Sequence, residues 1–397
     1  MKSVFYFLTI LFLSLLLSCS EEPPTSVDVE NLDKKPIKDP PTEPLVLLDA
    51  DNQIVGSSWG QGRNNKSKIY VWTHSGGYTK TWTKVTSDQY VAVAIGDVDN
   101  DGHDELVAVR YYQTGRGRNK VRHFEIQVFE NGATEPTRIG PDFGLAGENA
   151  VFGMALGDAN NDQTLEIVIA GSEFIHVFKD NGTEITQLWQ SENVNDDFPF
   201  CINVGDADND GLNEIVYAGL SAKKFGVYKH LGGNTWGDKI YSAPVSGGLD
   251  RAIVADVDGD GYNEIIGGGN YNKLTVWEYT NGEYVIDFES AELGGFTQGI
   301  AAGDLDGDGK IEIAVGTAGN TSRVFVFKYD EVLLTYTTIF EETISAGVNQ
   351  IIAGDSDNDG VDEFVIGTIA DILVYDYISG YSQVYSDLGG EGFINIK

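Results

Sequence analysis

Nine residues, DVDGDGYNE at Asp256–Glu264, recur along this chain with small changes. Relatives begin at Asp97 (DVDNDGHDE), Asp158 (DANNDQTLE), Asp206 (DADNDGLNE), Asp304 (DLDGDGKIE) and Asp355 (DSDNDGVDE), at steps of 61, 48, 50, 48 and 51 residues. A shortened relative, DADNQIVG, starts at Asp49, 48 residues ahead of Asp97. A fixed period of this length marks a repeat architecture, in which each unit buries its apolar face against the next. Seven units of about 50 residues fill 45–397.

Each unit has the same internal order. A short apolar segment ends in Gly-Asp or Ala-Asp, as in FTQGIAAGD (296–304) and FPFCINVGD (198–206). The acidic loop follows, then an apolar run such as EIVIAG (166–171) or EFVIGT (363–368). An aromatic, alternating segment comes next, as in IHVFKD (175–180), KLTVWEY (273–279) and ILVYDY (372–377), and a turn, often Asn-Gly, leads to a last short strand. Four strands per unit and seven units predict an all-β fold, a seven-bladed β-propeller with the acidic loop between the first and second strands. The last residues, LGGEGFINIK (388–397), match the approach to an acidic loop in LGGFTQGIAAGD (293–304). They are expected to supply the first strand of the first blade and close the ring, in competition with Leu45–Leu48.

The acidic loop carries carboxylates at positions 1, 3 and 5, glycine at 6 and glutamate at 9. Alternate side chains of a tight loop point inward, and hard oxygens at this spacing suit Ca²⁺, which takes six to eight of them. Mg²⁺ fits less well, because it demands strict octahedral geometry and keeps its water. Asp, Asn and Gly also make ordinary turns, but six copies, all with glutamate at position 9, go beyond turn chemistry. On a chain of net charge −35, six Ca²⁺ would return twelve charges.

The Gly-Asp start, the D-x-D-x-D-G-x-x-E loop and the strand after it, for example IAVGTA (313–318), resemble the FG-GAP and VCBS repeats of the integrin-α propeller and many bacterial surface proteins. Phe152-Gly153 keeps the name-giving pair once, and the resemblance covers 45–397. It implies structural Ca²⁺ at about six sites, with these ligands: Asp97, Asp99, Asp101 and Glu105; Asp206, Asp208, Asp210 and Glu214; Asp256, Asp258, Asp260 and Glu264; Asp304, Asp306, Asp308 and Glu312; Asp355, Asp357, Asp359 and Glu363. In the remaining loop, Asp158, Asp162 and Glu166 are kept, but Asn160 replaces an aspartate and Gln163 the glycine. This loop is expected to be the weakest site, with a strained backbone. The Asp49 loop lacks four residues, puts Gln53 where the glutamate belongs and is expected to bind nothing.

The N-terminus reads as a targeting segment, 1–18. Its apolar run VFYFLTILFLSLLL (4–17) is 14 residues long, short of the ~20 that a membrane span needs. The LLSC ending at Cys19 resembles a bacterial lipobox, with Leu17 larger than usual there, and Ser20-Glu21-Glu22 resemble the acidic export tag of surface lipoproteins. Residues 19–44 then form a tether holding six of the ten prolines. These features predict an outer-membrane, surface-exposed lipoprotein, held by acyl chains on Cys19.

With 26 basic against 61 acidic residues, nucleic acid is an unsuitable partner. Two cysteines exclude a disulfide framework. The histidines at 74, 103, 123, 176 and 230 are scattered over the repeats, Cys201 reads as a small core residue, and no catalytic triad, phosphate loop or zinc spacing occurs. A non-catalytic monomer is expected. Basic residues concentrate in two loops between second and third strands: Arg63, Lys66 and Lys68 in WGQGRNNKSK (59–68), and Arg116, Arg118, Lys120 and Arg122, with Arg110 just before, in YYQTGRGRNKVRH (111–123). With Trp59, Tyr111 and Tyr112 they could hold an acidic glycan on the face away from the acidic loops. Alternatives are a protein-interaction or adhesion module like the integrin-α propeller, and a calcium-containing polysaccharide lyase or hydrolase.

Overall fold

The computed structural model of the protein describes Pro44, Leu45, Leu47 and residues 53–58, 67–86, 88–115, 119–388 and 394–396. The targeting segment, Cys19, the tether as far as Glu43, and Asp49 and Asp51 lie outside the described residues.

Among the described residues, the strands form seven separate four-stranded antiparallel sheets, each a blade. The first strands are Ile394–Ile396 for blade 1, then Gln89–Gly96, Val151–Gly157, Pro199–Gly205, Leu249–Ala255, Phe296–Gly303 and Val348–Gly354 for blades 2 to 7. Each contacts the first strands of both neighbours, which closes the ring. Ile394 and Ile396 pair with Gly56 and Ile54, so the C-terminus supplies the first strand of blade 1. Leu45 and Leu47 do different work. Both are buried, and they bind the turn after the third strand of blade 2: Leu45 N donates to Ala133 O at 2.7 Å, and Leu47 exchanges bonds with the Asn131 side chain.

The second strands explain why these sequences sit where they do. Glu166–Gly171, Glu214–Gly219, Glu264–Gly269 and Glu363–Thr368 are buried at every residue. A strand covered on both faces reads as a continuous apolar run. The covering comes from adjacent blades: seven apolar clusters lie between seven pairs of neighbours. One holds Ile54, Tyr70 and Trp72 of blade 1 against Val365, Ile372 and Val374 of blade 7. The third strand of each blade carries a large buried aromatic near its end, such as Phe178, Tyr228, Trp277, Phe327 or Tyr375, packed between adjacent blades.

Candidate functional site

All six acidic loops leave a first strand at position 1, and position 9 is the first residue of the second strand. The position 1 carboxylate folds the loop over itself. Asp97 accepts from Asp101 N and Gly102 N, both at 3.0 Å. Asp206 and Asp355 do the same from the N–H groups of their own positions 5 and 6. One oxygen of each position 9 glutamate takes the position 2 N–H, from Val98 to Glu105 at 3.1 Å through to Ser356 to Glu363 at 2.8 Å. Two left-handed residues complete the turn. Position 6 is glycine except at Gln163, which is held at φ 70, the strain expected of that loop. Position 4 is always Asn or Gly, and Asn100, Asn161, Asn209 and Asn358 have φ between 60 and 65. That second requirement is visible in the sequence, since only Asn and Gly tolerate this conformation readily, but aspartate spacing alone does not point to it.

The folded loops gather carboxylates. Asp97, Asp99 and Asp101 each bring an oxygen within 4.8 Å of the others, as do Asp206, Asp208 and Asp210, Asp256, Asp258 and Asp260, and Asp304, Asp306 and Asp308. Beneath them lie the glutamates: Glu105, Glu166, Glu214, Glu312 and Glu363 have no exposed surface. Burial pushes the carboxyls of Glu105, Glu214, Glu264 and Glu363 up to about 8, and loop aspartates push in the same direction. Oε1 of Glu105, Glu214 and Glu363 has no hydrogen-bond partner. A buried, unpaired carboxylate oxygen among further carboxylates is costly unless a cation meets it. The donor set is all oxygen, and these residues fit Ca²⁺.

The opposite face holds the second-to-third-strand loops. The blade 2 hairpin is the longest of these in blades 2 to 5, with strands Glu105–Thr114 and Val121–Phe129. Tyr111 stacks on Phe124 at 5.0 Å against the core, so its ring is committed to packing. Tyr112 lies between His123, at 4.5 Å, and Arg110, at 4.4 Å. Arg110 is bound by Asp88 and Glu125, which offsets its charge. Arg122 donates to Asn149 at 2.5 Å, and Lys120 is exposed. Trp59, Arg63, Lys66, Arg116 and Arg118 lie outside the described residues.

A second feature of that face was not expected from the sequence. From blade 2 to blade 7, each first strand shifts register near its start, the end away from the acidic loop. Such bulges re-aim side chains. Phe152 stacks on Phe200 at 5.4 Å and meets Phe198 at 4.8 Å, all three partly exposed. Phe198 has φ 55, an outlier for a bulky residue. Arg251 lies 5.6 Å over Phe200 and donates from Nη2 to Asn349 O of blade 7 at 2.7 Å. Beside it Asp250 is 4% exposed, with Oδ1 unpaired. The readable signals were the VFG (151–153) and FPF (198–200) runs just before the apolar segments. The histidines stay apart: His176 is fully buried and paired with Glu148 at 3.0 Å.

Closed blades with an acidic loop on the first hairpin of six of them define a seven-bladed β-propeller. The chain carries FG-GAP-like repeats: the model of that family matches residues 256–315 and 304–366. The bovine KICSTOR complex protein ITFG2 is 31% identical over 142 residues, which cover 32% of this chain and 26% of that protein. The match therefore spans about a quarter of that curated relative. Among solved structures, the periplasmic gluconolactonase of Pseudomonas aeruginosa superposes with a TM-score of 0.60 at 12% identity, over 86% of this chain and 98% of that one. A putative 6-phosphogluconolactonase from Bacteroides fragilis gives 0.58 at 12% identity, over 86% and 96%. At such identities the likeness is one of fold.

Proposed function

We propose that this protein is a calcium-stabilised, lipid-anchored propeller that acts by binding and not by catalysis, with cations on one face and a ligand on the other. An FG-GAP propeller supports an interaction role, and its two faces are chemically distinct. The observation that carries the ligand assignment is the Phe152, Phe198 and Phe200 group beside Arg251, with Phe198 kept in a strained conformation. Strain of about 1–3 kcal/mol persists where the surrounding structure uses it. Aromatic faces stack on sugar rings, and a guanidinium fork matches a carboxylate or sulfate. The ligand is an acidic glycan of the surface, with Lys120 and Arg122 as its outer contacts; Arg63, Arg116 and Arg118, the other basic residues offered by the sequence, lie outside the described residues. Titration with uronate-rich and sulfated glycans at low salt tests this. Phe152→Ala with Phe200→Ala, and Arg251→Gln separately, should each weaken binding at least tenfold. Unchanged affinity in both would remove the site from this face.

A protein partner is the second reading. It is favoured by the likeness to ITFG2, whose name places that protein in a complex. Binding to no glycan, together with loss of a surface partner in the Phe152 and Phe200 double variant, would favour it. The surface location rests on the LLSC run and the proline-rich tether.

A further inference from the structure

Strand register places one residue directly across from each position 9 glutamate: the residue after the buried aromatic of the third strand. Phe178 pairs with Ile167, Tyr228 with Ile215 and Phe327 with Ile313. One step on, Lys179, Lys229 and Lys328 therefore face Glu166, Glu214 and Glu312. Phe129 pairs with Leu106, Trp277 with Ile265 and Tyr375 with Phe364. There the facing residues are Glu130, Glu278 and Asp376. Blade 1, whose acidic loop is shortened, has a neutral pair at this place: Gln53 Nε2 donates to Thr73 Oγ1 at 3.1 Å. The same position is thus basic in three blades, acidic in three and neutral in one.

The lysines enter the loops. Lys328 Nζ lies 2.7 Å from Asp306, 2.8 Å from Asp308 and 2.7 Å from Glu312, touching three of the four carboxylates of its loop. Lys229 is paired with Asp208 and with Asp210. Lys179 lies 3.1 Å from Glu166, in the loop that already lacks an aspartate. A Ca²⁺ ion needs the same oxygens at roughly 2.3–2.6 Å, so ammonium and calcium exclude each other there. In blades 2 and 7 an added acid raises the demand for a cation, and in blade 5 the facing Glu278 is exposed and brings no ammonium to the loop. Asp376 is 7% exposed with Oδ1 unpaired, and its charge acts on Asp357 and Glu363. Glu363 and Glu105, fully buried, each keep an unpaired oxygen in their loops, as does Glu214 in blade 4, where Lys229 reaches the two aspartates and not the glutamate. In blade 2, Arg138 pairs with Asp99 but is shared with Glu130 and Asp180, so that loop keeps a surplus of acid. In a complete loop the two solutions end alike. Four carboxylates with one ammonium, or five with one Ca²⁺, both leave three negative charges.

We propose that the residue across from the loop glutamate selects the cation: the chain's own lysine fills the loops of blades 3, 4 and 6, and calcium fills those of blades 2, 5 and 7. This rests on the calcium reading above and changes its count from about six to three. The test is calcium stoichiometry of the full-length chain, stripped with chelator and measured by equilibrium dialysis with metal analysis. Three bound ions per chain are expected. Lys328→Gln should raise the number to four, and Glu278→Lys should lower it to two, with circular dichroism confirming that each variant is folded. If either fails to fold, Lys229→Gln, expected at four, serves in its place. Six ions in the unmodified protein would overturn the selector and leave the calcium reading intact, as would three ions in the folded lysine variants. No bound calcium at all would instead overturn the calcium reading beneath it.

Discussion

Asp250 offers a measurable cost that no metal touches. It is 4% exposed, Oδ1 has no partner, and the nearby Arg251 guanidinium is turned to backbone carbonyls of Asp250 and Asn349. Burial pushes its carboxyl from 3.8 up to about 7, with Arg251 opposing only in part. The sign follows from linkage. Between those two values the folded chain holds a proton that the unfolded chain has lost, so stability falls as pH rises from about 4 to about 7. Each pH unit of displacement is worth ~1.36 kcal/mol, which gives a ceiling of about 4 kcal/mol at pH 8 and almost nothing below pH 4. Relaxation and water entry reduce such penalties, so we expect Asp250→Asn to stabilise the protein by about 2 kcal/mol at pH 8 and by less than about 0.5 kcal/mol at pH 4. Urea unfolding followed by tryptophan fluorescence, with both proteins compared at each pH, reads the difference free of other titrating groups. A gain of equal size at both pH values, or a loss at pH 8, would refute the reasoning and mean that the carboxylate is held by interactions worth more than its desolvation costs.

Calcium removal should act on stability and on its pH dependence together. Three sites, each adding roughly 1.4 kcal/mol at calcium tenfold above Kd, predict a fall in melting temperature of roughly 5–10 °C on adding EGTA, reversed by calcium. In EGTA the melting temperature should also fall as pH rises from 4.5 to about 8, because Glu105, Glu214, Glu264 and Glu363 keep their protons in the fold but not in the unfolded chain; saturating calcium should reduce this slope, leaving the share of Glu214, and scanning calorimetry at several pH values checks both. Glu148 is fully enclosed, accepting from Glu173 N, Phe174 N and the Ser172 hydroxyl and pairing with His176. Glu148→Ala should therefore cost about 3–5 kcal/mol in chemical unfolding. Cys19→Ala should move the protein from the membrane fraction to the soluble one on cell fractionation.

The architecture was legible because its evidence is periodic. Five D-x-D-x-D loops and one D-x-N-x-D loop at a near-constant spacing, each followed by a run that only a doubly covered strand explains, lead to blade number, strand number and loop position without any coordinate. The ring closure was legible for the same reason, since LGGEGFINIK repeats an earlier approach to a first strand. Paired positions are harder to read. Lys328 sits 16 residues after Glu312 and looks like one more polar residue on an alternating strand; only the register that pairs Phe327 with Ile313 reveals that it faces a loop glutamate. The face opposite the loops was misweighted for a related reason. The basic cluster pointed to Arg110 with Tyr111 as an aromatic beside it, but Asp88, Glu125 and Phe124 already engage those side chains. Phe152, Phe198 and Phe200 lay in runs that read as ordinary strand starts, and a register shift is what turns such residues out of the sheet.

The selector residues gain their meaning from how the loops hold one another. Asn263 of blade 5 donates its backbone N–H to Asn209 Oδ1 at 2.7 Å and its side-chain amide to Asp206 O at 2.9 Å, clasping the blade 4 loop. Asn213 of blade 4 clasps Asn161 and Asp158 of blade 3 in the same way. Asp362 of blade 7 exchanges two bonds, both 3.0 Å, with the backbone of Asp304 in blade 6. Each loop that carries the extra acid in blades 5 and 7 thus grips a loop that carries a lysine. Calcium in the blade 5 loop, as proposed, would fix Asn263, and through it the start of the Asp206 loop where Lys229 sits. A lysine ion pair alone, partly open to water, orders a loop weakly. A divalent ion bound by four or five carboxylates orders it strongly. In the proposed arrangement, with calcium in blades 2, 5 and 7 and lysine in blades 3, 4 and 6, three ions would organise a face built from six loops. That face would then depend on calcium even at blades whose own loops hold none.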